Sequence, residues 1–284
     1  MKPCKTAWAA YGPTTLFVLL WGSAAIFSRW GLDHSSAFAI LTFRFAAALA
    51  GLTLLALFHR QGWPPRGARL QVAGTGALLI GGYSLCYFLA LEHGITPGVL
   101  ATVLGVQPIL TLLLVERRAS LTRLLGLLLA LGGLTLVVLQ GVLTAQLSAA
   151  GITFALLALG CMTLGAILQK RVKQPPQQAL PLQYAVSLAM CLACVPFKPF
   201  HIEWVAGFVI PMLWLGLAIS VGAQLLLYRM IGSGNLVNVT SLFYLVPVVT
   251  ALLDYAILGN ALSGLAIAGM AAILLGLALV FRHR

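Results

Sequence analysis

The chain has 284 residues, of which 61% are hydrophobic and only 8% are charged. Soluble domains are about 45–50% apolar and about 25% charged, so this composition excludes a soluble enzyme, a secreted domain and a disordered chain. The net charge of +12 would suit a nucleic-acid binder. The basic residues, however, only separate apolar runs, and this pattern indicates membrane topology instead. We therefore expect an integral membrane protein whose surroundings are the lipid bilayer, with no nucleic-acid partner.

Ten apolar segments follow one another, each close to the length that crosses about 30 Å of hydrocarbon as a helix. They cover residues 13–30, 37–58, 71–91, 97–115, 121–139, 149–169, 180–197, 207–228, 236–258 and 262–281. None alternates between apolar and polar residues in the manner of a membrane β-strand. The sequence thus predicts an all-α protein with ten transmembrane helices.

The basic residues predict the direction of these helices, because short cytoplasmic loops are enriched in Lys and Arg. With a cytoplasmic N-terminus, only Arg29 and Lys198 lie on the outer side, and Arg44 lies within the second segment. All the others are cytoplasmic: Lys2, Lys5, Arg60, Arg66, Arg69, Arg117, Arg118, Arg123, Lys170, Arg171, Lys173, Arg229, Arg282 and Arg284. Both termini are therefore expected to be cytoplasmic.

The two halves of the sequence resemble each other. Residues 107–111, Gln-Pro-Ile-Leu-Thr, are matched 139 residues later by residues 246–250, Val-Pro-Val-Val-Thr. We expect two five-helix repeats, residues 1–140 and residues 141–284. Because five is odd, the second repeat enters the membrane in the opposite orientation. Inverted repeats of this kind are typical of secondary transporters, which bind substrate near the midplane between the repeats.

Several motifs resemble the EamA-type repeat of the drug/metabolite transporter superfamily. Trp21-Gly22-Ser23 and the stretch Leu41-Thr42-Phe43-Arg44-Phe45 are similar to the start of that repeat. The run from Leu91 to Leu139, which contains Pro108 and Glu116, resembles its end, and the run from Ile231 to Phe281 repeats it. Two positions depart from the family pattern. Asn260 stands where the family often has Glu, and Met162 stands where a second tryptophan would match Trp21.

The resemblance is strongest to bacterial exporters of aromatic and other amino acids. It implies a secondary transporter that exports neutral amino acids of broad specificity across the bacterial inner membrane by alternating access, without a cofactor. Transporters of the same fold for other small metabolites or drugs remain an alternative. A membrane enzyme would need a catalytic cluster, and an ATP-driven pump would need a nucleotide-binding motif. Neither pattern occurs in the sequence. A scaffold would not need polar faces inside the membrane.

Polar and amphipathic residues inside apolar helices are the candidates for the substrate cavity, because such groups avoid lipid. They are Trp21, Tyr83, Tyr87, Gly105, Gln107, Gln224, Tyr228, Asn238, Ser241 and Tyr244. Tyr83 and Tyr87 are four residues apart, so they share one helix face, and they match Gln224 and Tyr228 at an offset of 141. Hydrogen bonds between helices are the alternative role for the set, and an interfacial aromatic belt is the alternative for Tyr87 and Tyr228.

Two charged residues fall inside apolar segments, Arg44 and Asp254. Arg44 lies about 10 Å along its helix at 1.5 Å per residue, a depth at which a charge is costly without a partner. It either contacts a substrate carboxylate or holds the fold together, for example by pairing with Asp254. Asp254 is the candidate for proton coupling, whereas an uncoupled facilitator needs no such group.

Pro108 and Pro247 occupy matching places deep inside their helices. A proline there removes a backbone hydrogen bond and clashes with the preceding turn, so each helix is expected to kink. The pair is either a hinge for alternating access or a static bend. Small-residue clusters such as Gly132-Gly133 indicate close helix packing, within one chain or between the subunits of a homodimer.

Overall fold

The structure of the chain, a computed structural model, describes residues 4–116, 120–139, 143, 148–253, 255–256 and 263–282, with the backbone alone for residues 4–11 and 25. Asp254 and Asn260 lie outside the described residues. The architecture is helical, and an isolated bridge between Ser35 and Ile202 is the only β pairing in the described ranges.

Ten helices, named α1 to α10 in chain order, make up the described fold. Their bounds are α1 Cys4–Leu32, α2 Ala37–Phe58, α3 Arg66–Glu92, α4 Pro97–Val115, α5 Leu121–Val137, α6 Ala149–Arg171, α7 Pro176–Phe197, α8 Ala206–Ser233, α9 Leu236–Leu253 and α10 Gly264–Arg282. Nine of them, in this part of the chain, are long and apolar enough to cross a membrane. α5 is apolar but has only 17 residues, so a tenth span stays a prediction.

Four of the helices are irregular, and they form two matched pairs. α3 has a π-helical stretch at Ala77–Gly82 and α8 has one at Trp214–Ala223. Each stretch ends directly before a predicted cavity residue, Tyr83 or Gln224. Because a π-turn rotates the residues that follow it, it sets the direction in which these side chains point.

α4 and α9 are each interrupted shortly before a proline. α4 consists of Pro97–Leu104 and Gln107–Val115, and α9 passes through a 3₁₀ turn at Leu242–Tyr244. Pro108 lies two residues after the end of the first interruption, and Pro247 lies three residues after the end of the second. A proline lacks the N–H that would continue the ladder, which accounts for the irregular turn before it.

α5 and α10 pack along each other at glycines, and the contacts have two-fold character. Gly126 lies against the backbone of Gly276, and Gly133 lies against that of Gly269. A β-carbon built on Gly276 would lie 2.5 Å from the Gly126 carbonyl oxygen, so no larger residue fits without a shift. The two helices run antiparallel, because the early glycine of one meets the late glycine of the other. Gly126 and Gly133 are matched 143 residues later by Gly269 and Gly276. This offset maps the two contacts onto each other, as an inverted repeat requires.

The apolar core consists of two main groups of buried residues and a small third one formed by Ala90, Ile95, Leu100 and Ala155. The larger cluster is built mainly from α1, α2, α3, α6, α7 and α8. A smaller cluster joins α4, α5, α9 and α10. The cavity described below lies between these groups, where α4 and α9 meet the larger cluster.

The α1–α2 and α7–α8 connections are joined on the predicted outer side. His34 Nδ1 lies 2.9 Å from Glu203 Oε2, and Ser36 and His201 exchange backbone and side-chain hydrogen bonds. The hydrogen bond from His34 lowers the pKa of the exposed Glu203 carboxyl below its usual value. This connection ties the first repeat to the second outside the helices.

Candidate functional site

A partly open cavity lies between the two repeats. Its described lining comes from α1 to α4 of the first repeat and from α6 to α9 of the second. The lining residues are Trp21, Arg44, Leu79, Ile80, Tyr83, Ser84, Gln107, Met162, Ala166, Tyr184, Gln224, Leu227, Ile231, Thr240 and Phe243. The cavity thus occupies the repeat interface, where a transporter of this architecture binds its substrate.

Arg44 supplies a positive charge to this cavity. Its Nε donates a hydrogen bond to Ser220 Oγ on α8 at 2.8 Å, and the Tyr83 and Tyr184 side chains lie within electrostatic reach. The guanidinium has further donors, and Ser220 is the only hydrogen-bond acceptor for it among the described residues. Because Asp254 lies outside the described residues, the predicted pairing of Arg44 with it stays a prediction. The remaining donors suit an anionic group of a ligand.

Aromatic rings form one wall of the cavity. The rings of Trp21 and Phe243 meet edge to face, with centroids 5.4 Å apart, and Phe17 packs against both. Tyr83 also lines the cavity, and its ring centroid lies 5.9 Å from that of Tyr87. Flat apolar surfaces with polar edges suit amphipathic solutes that carry a ring or a branched side chain.

Two glutamines line the cavity, and they differ in whether their polar atoms have hydrogen-bond partners. Gln107 is 1% exposed; its Nε2 donates to the Met162 carbonyl at 3.5 Å, whereas its Oε1 has no partner among the described residues. Gln224 is 6% exposed, and neither its amide oxygen nor its amide nitrogen is buried without a partner in the described chain. The cavity therefore contains a buried acceptor that the described chain does not satisfy.

The structure brings five of the predicted residues together in the cavity lining. These are Trp21, Arg44, Tyr83, Gln107 and Gln224. The other predicted cavity residues, Tyr87, Gly105, Tyr228, Asn238, Ser241 and Tyr244, are not part of the described lining.

Tyr87 and Tyr228 lie beside the cavity. Tyr87 packs against the rings of Tyr83 and Phe88. Tyr228 is 2% exposed and its hydroxyl donates to Gln183 Oε1 at 2.7 Å. This burial is contrary to an aromatic-belt role for Tyr228, because a belt residue keeps its polar tip at the membrane surface.

Gly105 and Tyr244 meet each other instead of lining the cavity. The Tyr244 hydroxyl donates to the Gly105 carbonyl oxygen, and the two residues are 139 positions apart, which is the repeat offset. Residues that a two-fold axis exchanges can touch only near that axis. The interruptions of α4 and α9 therefore meet at the pseudo-symmetry axis, beside the cavity.

Asn238 and Ser241 have structural partners. Ser241 Oγ donates to the Val237 carbonyl of its own helix. Asn238 Oδ1 accepts a hydrogen bond from Arg123 Nη2 at 2.8 Å. Arg123 also forms an ion pair with Glu116, so Asn238 belongs to a buried network at the predicted cytoplasmic end.

Sequence reasoning missed several lining residues, of which Tyr184, Ser84 and Thr240 are polar. Tyr184 had a usable signal, since it is a polar-tipped ring in an apolar segment and matches Phe45 at the repeat offset. Met162 also had one, since it matches the predicted cavity residue Trp21 in the repeat, whereas Phe243 had none, because apolar lining and apolar core look alike in a sequence. Among the described residues, no group of three His, Cys, Asp or Glu side chains is placed to bind a metal.

The model of the EamA-like transporter family matches the chain twice, at residues 13–139 and 149–282. The chain belongs to the EamA-like transporter family. This EamA-like protein is therefore a multi-pass membrane protein with two family repeats, and its cavity lies in a fold whose members transport small substrates. No curated relative matches it.

A crystal structure of another protein superimposes on the EamA-like chain with a TM-score of 0.79. The match covers 95% of this chain and 98% of the other, at 21% sequence identity. At this identity the likeness shows that the fold is shared.

Proposed function

We propose that this EamA-like protein exports amino acids, aromatic and other neutral ones with broad specificity, across the bacterial inner membrane. The observation that carries the proposal is a cavity between the repeats that combines a cation with aromatic walls. Arg44 offers donors to a carboxylate, and Trp21, Tyr83 and Phe243 offer surface to an apolar side chain. A sugar phosphate would require several cations, and Arg44 is the only one in the described lining.

The transport cycle that we propose is alternating access, with Pro108 and Pro247 as hinges. The helix interruptions before these prolines lie at matching positions and meet at Tyr244 and Gly105. A bend at one interruption can open the cavity to one side while a bend at the other closes it. We propose an uncoupled facilitator, with proton coupling through Asp254 as the alternative.

The topology that we propose has ten spans, cytoplasmic termini and repeats of residues 1–140 and 141–284. α5 packs beside α10 at Gly126 and Gly133, which supports its role as the tenth span. Cysteines introduced at Gly62 and Lys173, in a background without native cysteines, should react with a membrane-impermeant reagent only after permeabilisation. A cysteine at His201 should react in intact cells, and the opposite pattern would reverse the orientation.

Counterflow in proteoliposomes tests which class of compound the protein transports. Vesicles loaded with unlabelled phenylalanine should accumulate labelled phenylalanine, and a panel of other neutral amino acids should compete. Nucleotides, sugars and sugar phosphates should not compete. Accumulation driven by sugars or drugs, without any by amino acids, would favour the alternative exporter of other small metabolites.

The proposal includes neither an enzymatic activity nor a cofactor. The partners that it names are the amino-acid substrate and the bilayer. A homodimer stays open, and cross-linking in native membranes would detect it.

A further inference from the structure

Gln107 begins the second segment of α4, directly after the interruption at Gly105–Val106. Its side chain is 1% exposed and lines the cavity, and its Oε1 has no hydrogen-bond partner among the described residues. A buried acceptor that has lost water without gaining a donor is destabilising, so such a group calls for an explanation.

The orientation of the amide follows from its neighbour. Gln107 Nε2 faces the Met162 carbonyl at 3.5 Å, and a carbonyl oxygen can only accept a hydrogen bond. Exchanging the amide nitrogen and oxygen would place two acceptors against each other. The oxygen must therefore be the atom without a partner, and the missing group must be a donor.

Gln224 is a comparison within the same cavity. It lines the cavity too, but neither its amide oxygen nor its amide nitrogen is buried without a partner in the described chain. Of the two lining glutamines, Gln107 alone has a buried oxygen without a partner in the described chain. The unsatisfied acceptor is thus a property of one position and not of glutamine in this cavity.

We propose that the amide oxygen of Gln107 recognises the ammonium group of an amino-acid substrate whose carboxylate is held by Arg44. The inference rests on the function proposed above and deepens it. The described lining contains one cation and no carboxylate, so a neutral oxygen takes the place of an acid. An anion without a donor would leave Gln107 unsatisfied, whereas an amino acid satisfies both groups at once.

The test compares phenylalanine with 3-phenylpropionate, which has the same ring and carboxylate but lacks the ammonium group. Both compete against labelled phenylalanine in proteoliposome counterflow. For the wild-type protein, we expect 3-phenylpropionate to compete at least about tenfold more weakly, because a site built around a hydrogen bond rejects the analogue that lacks the donor. We call the strength of competition by phenylalanine, divided by that of 3-phenylpropionate, the ratio. Gln107→Leu should weaken competition by phenylalanine and leave that by 3-phenylpropionate unchanged, so that the ratio falls towards one.

Gln224→Leu is the matched control, since it removes the same group from the same cavity. It should change the overall rate but keep the wild-type ratio. Gln107→Glu retains an acceptor of the same shape and adds a negative charge, so its ratio should equal or exceed that of the wild type. This variant also decides the question if Gln107→Leu does not fold.

Three results would overturn the inference. A wild-type ratio in Gln107→Leu, or a ratio near one in Gln107→Glu, would show that Gln107 does not read the ammonium group while leaving the proposed function intact. A wild-type protein that exchanges no amino acid would overturn the proposed function and this inference together.

Discussion

Arg44 and Arg123 both carry a guanidinium into the helical bundle, but their surroundings differ. Arg123 Nη1 donates to both carboxylate oxygens of Glu116, at 2.5 and 2.7 Å, and Nη2 donates to Asn235 and Asn238. Arg44 has a single described acceptor, the hydroxyl of Ser220, and lines the cavity. A charge enclosed by a carboxylate and two amides holds the fold together, whereas a charge with unused donors beside a cavity is available to a ligand.

The Arg123 network joins the repeats at the predicted cytoplasmic end. Glu116 and Arg123 belong to the first repeat, and the two asparagines come from the start of α9 in the second. The side chain of Arg123 is only 9% exposed, so its charge is stabilised mainly by these partners and not by water. The network therefore resists separation of α9 from α4 and α5 at this end.

The largest expected effect is on stability, when the enclosed pair is broken. Arg123→Leu should lower the free energy of unfolding by up to about 3 kcal/mol, because it leaves the partly buried Glu116 without a countercharge. Thermal unfolding in detergent micelles measures the change. Arg123→Leu combined with Glu116→Leu should recover a large part of the loss. An Arg123→Leu protein as stable as the wild type would remove the contrast between the two arginines.

The next effect is on transport, when the cavity charge is removed. Arg44→Gln should lower the apparent affinity for phenylalanine by about 10- to 100-fold, since a hydrogen bond to a charged group contributes about 1.5–3 kcal/mol. Its melting temperature should stay close to that of the wild type. Ser220→Ala, which removes the acceptor but keeps the charge, is the control and should have a smaller effect on transport. Arg44→Gln would support the structural role of Arg44 if it unfolded as readily as Arg123→Leu.

A smaller effect is expected at the helix interruptions between these two regions. Pro108→Ala and Pro247→Ala should fold but exchange phenylalanine several-fold more slowly, because a continuous hydrogen-bond ladder stiffens the bend. Counterflow rates at saturating substrate measure this. Pro97→Ala is the matched control, since Pro97 lies at the start of α4, where a proline interrupts nothing. Wild-type rates in both single variants and in the double variant would leave a static bend as the explanation.

The smallest effect concerns the outer connection, where the charges are exposed. The pKa of Glu203 is lowered by His34, so its contribution to stability is present above the ordinary glutamate pKa of about 4.3 and is lost as the pH falls below that value. The difference in melting temperature between wild type and Glu203→Gln should therefore shrink on acidification. In a His34→Ala background, Glu203→Gln should have a weaker pH-dependent effect, because only His201 then still lowers the pKa of Glu203. A difference that grew on acidification would contradict the sign.

The helices could be predicted because each signal is local. Nearly all the predicted segments agree with the described helices within a few residues. The largest departure is at the start of α1, which begins at Cys4 and not at residue 13. Smaller ones are at the start of α3 and α7 and at the end of α8, where polar residues continue a helix past the apolar run. The repeat could be predicted because Pro108 and Pro247 stand out against apolar surroundings. The Gly105–Tyr244 contact could not, because it depends on where two distant interruptions cross.

The site was only partly predictable from the sequence. Asn238 resembles a cavity residue in the sequence, but Arg123 occupies it, and a sequence does not show which buried polar group a neighbour has already satisfied. Arg123 and Lys170 were counted as cytoplasmic bases by the charge rule. In the structure Arg123 is enclosed, and the Lys170 ammonium donates to three carbonyls at the end of α8. The charge rule predicts on which side of the membrane a basic residue lies, but not which groups it binds.

The sequence by itself determined that this is a helical membrane protein with two related halves, because the free energy of burying apolar runs in lipid depends on composition and length alone. It also determined which polar residues need an explanation, since each lies in an apolar segment. Only the tertiary structure decided which of them are satisfied by the protein and which line the cavity. Glu116 neutralises Arg123, Tyr228 donates to Gln183, and the oxygen of Gln107 has no partner in the described chain. Hydrogen bonding is short-ranged and directional, so it is decided by the packing of helices that are far apart in the sequence.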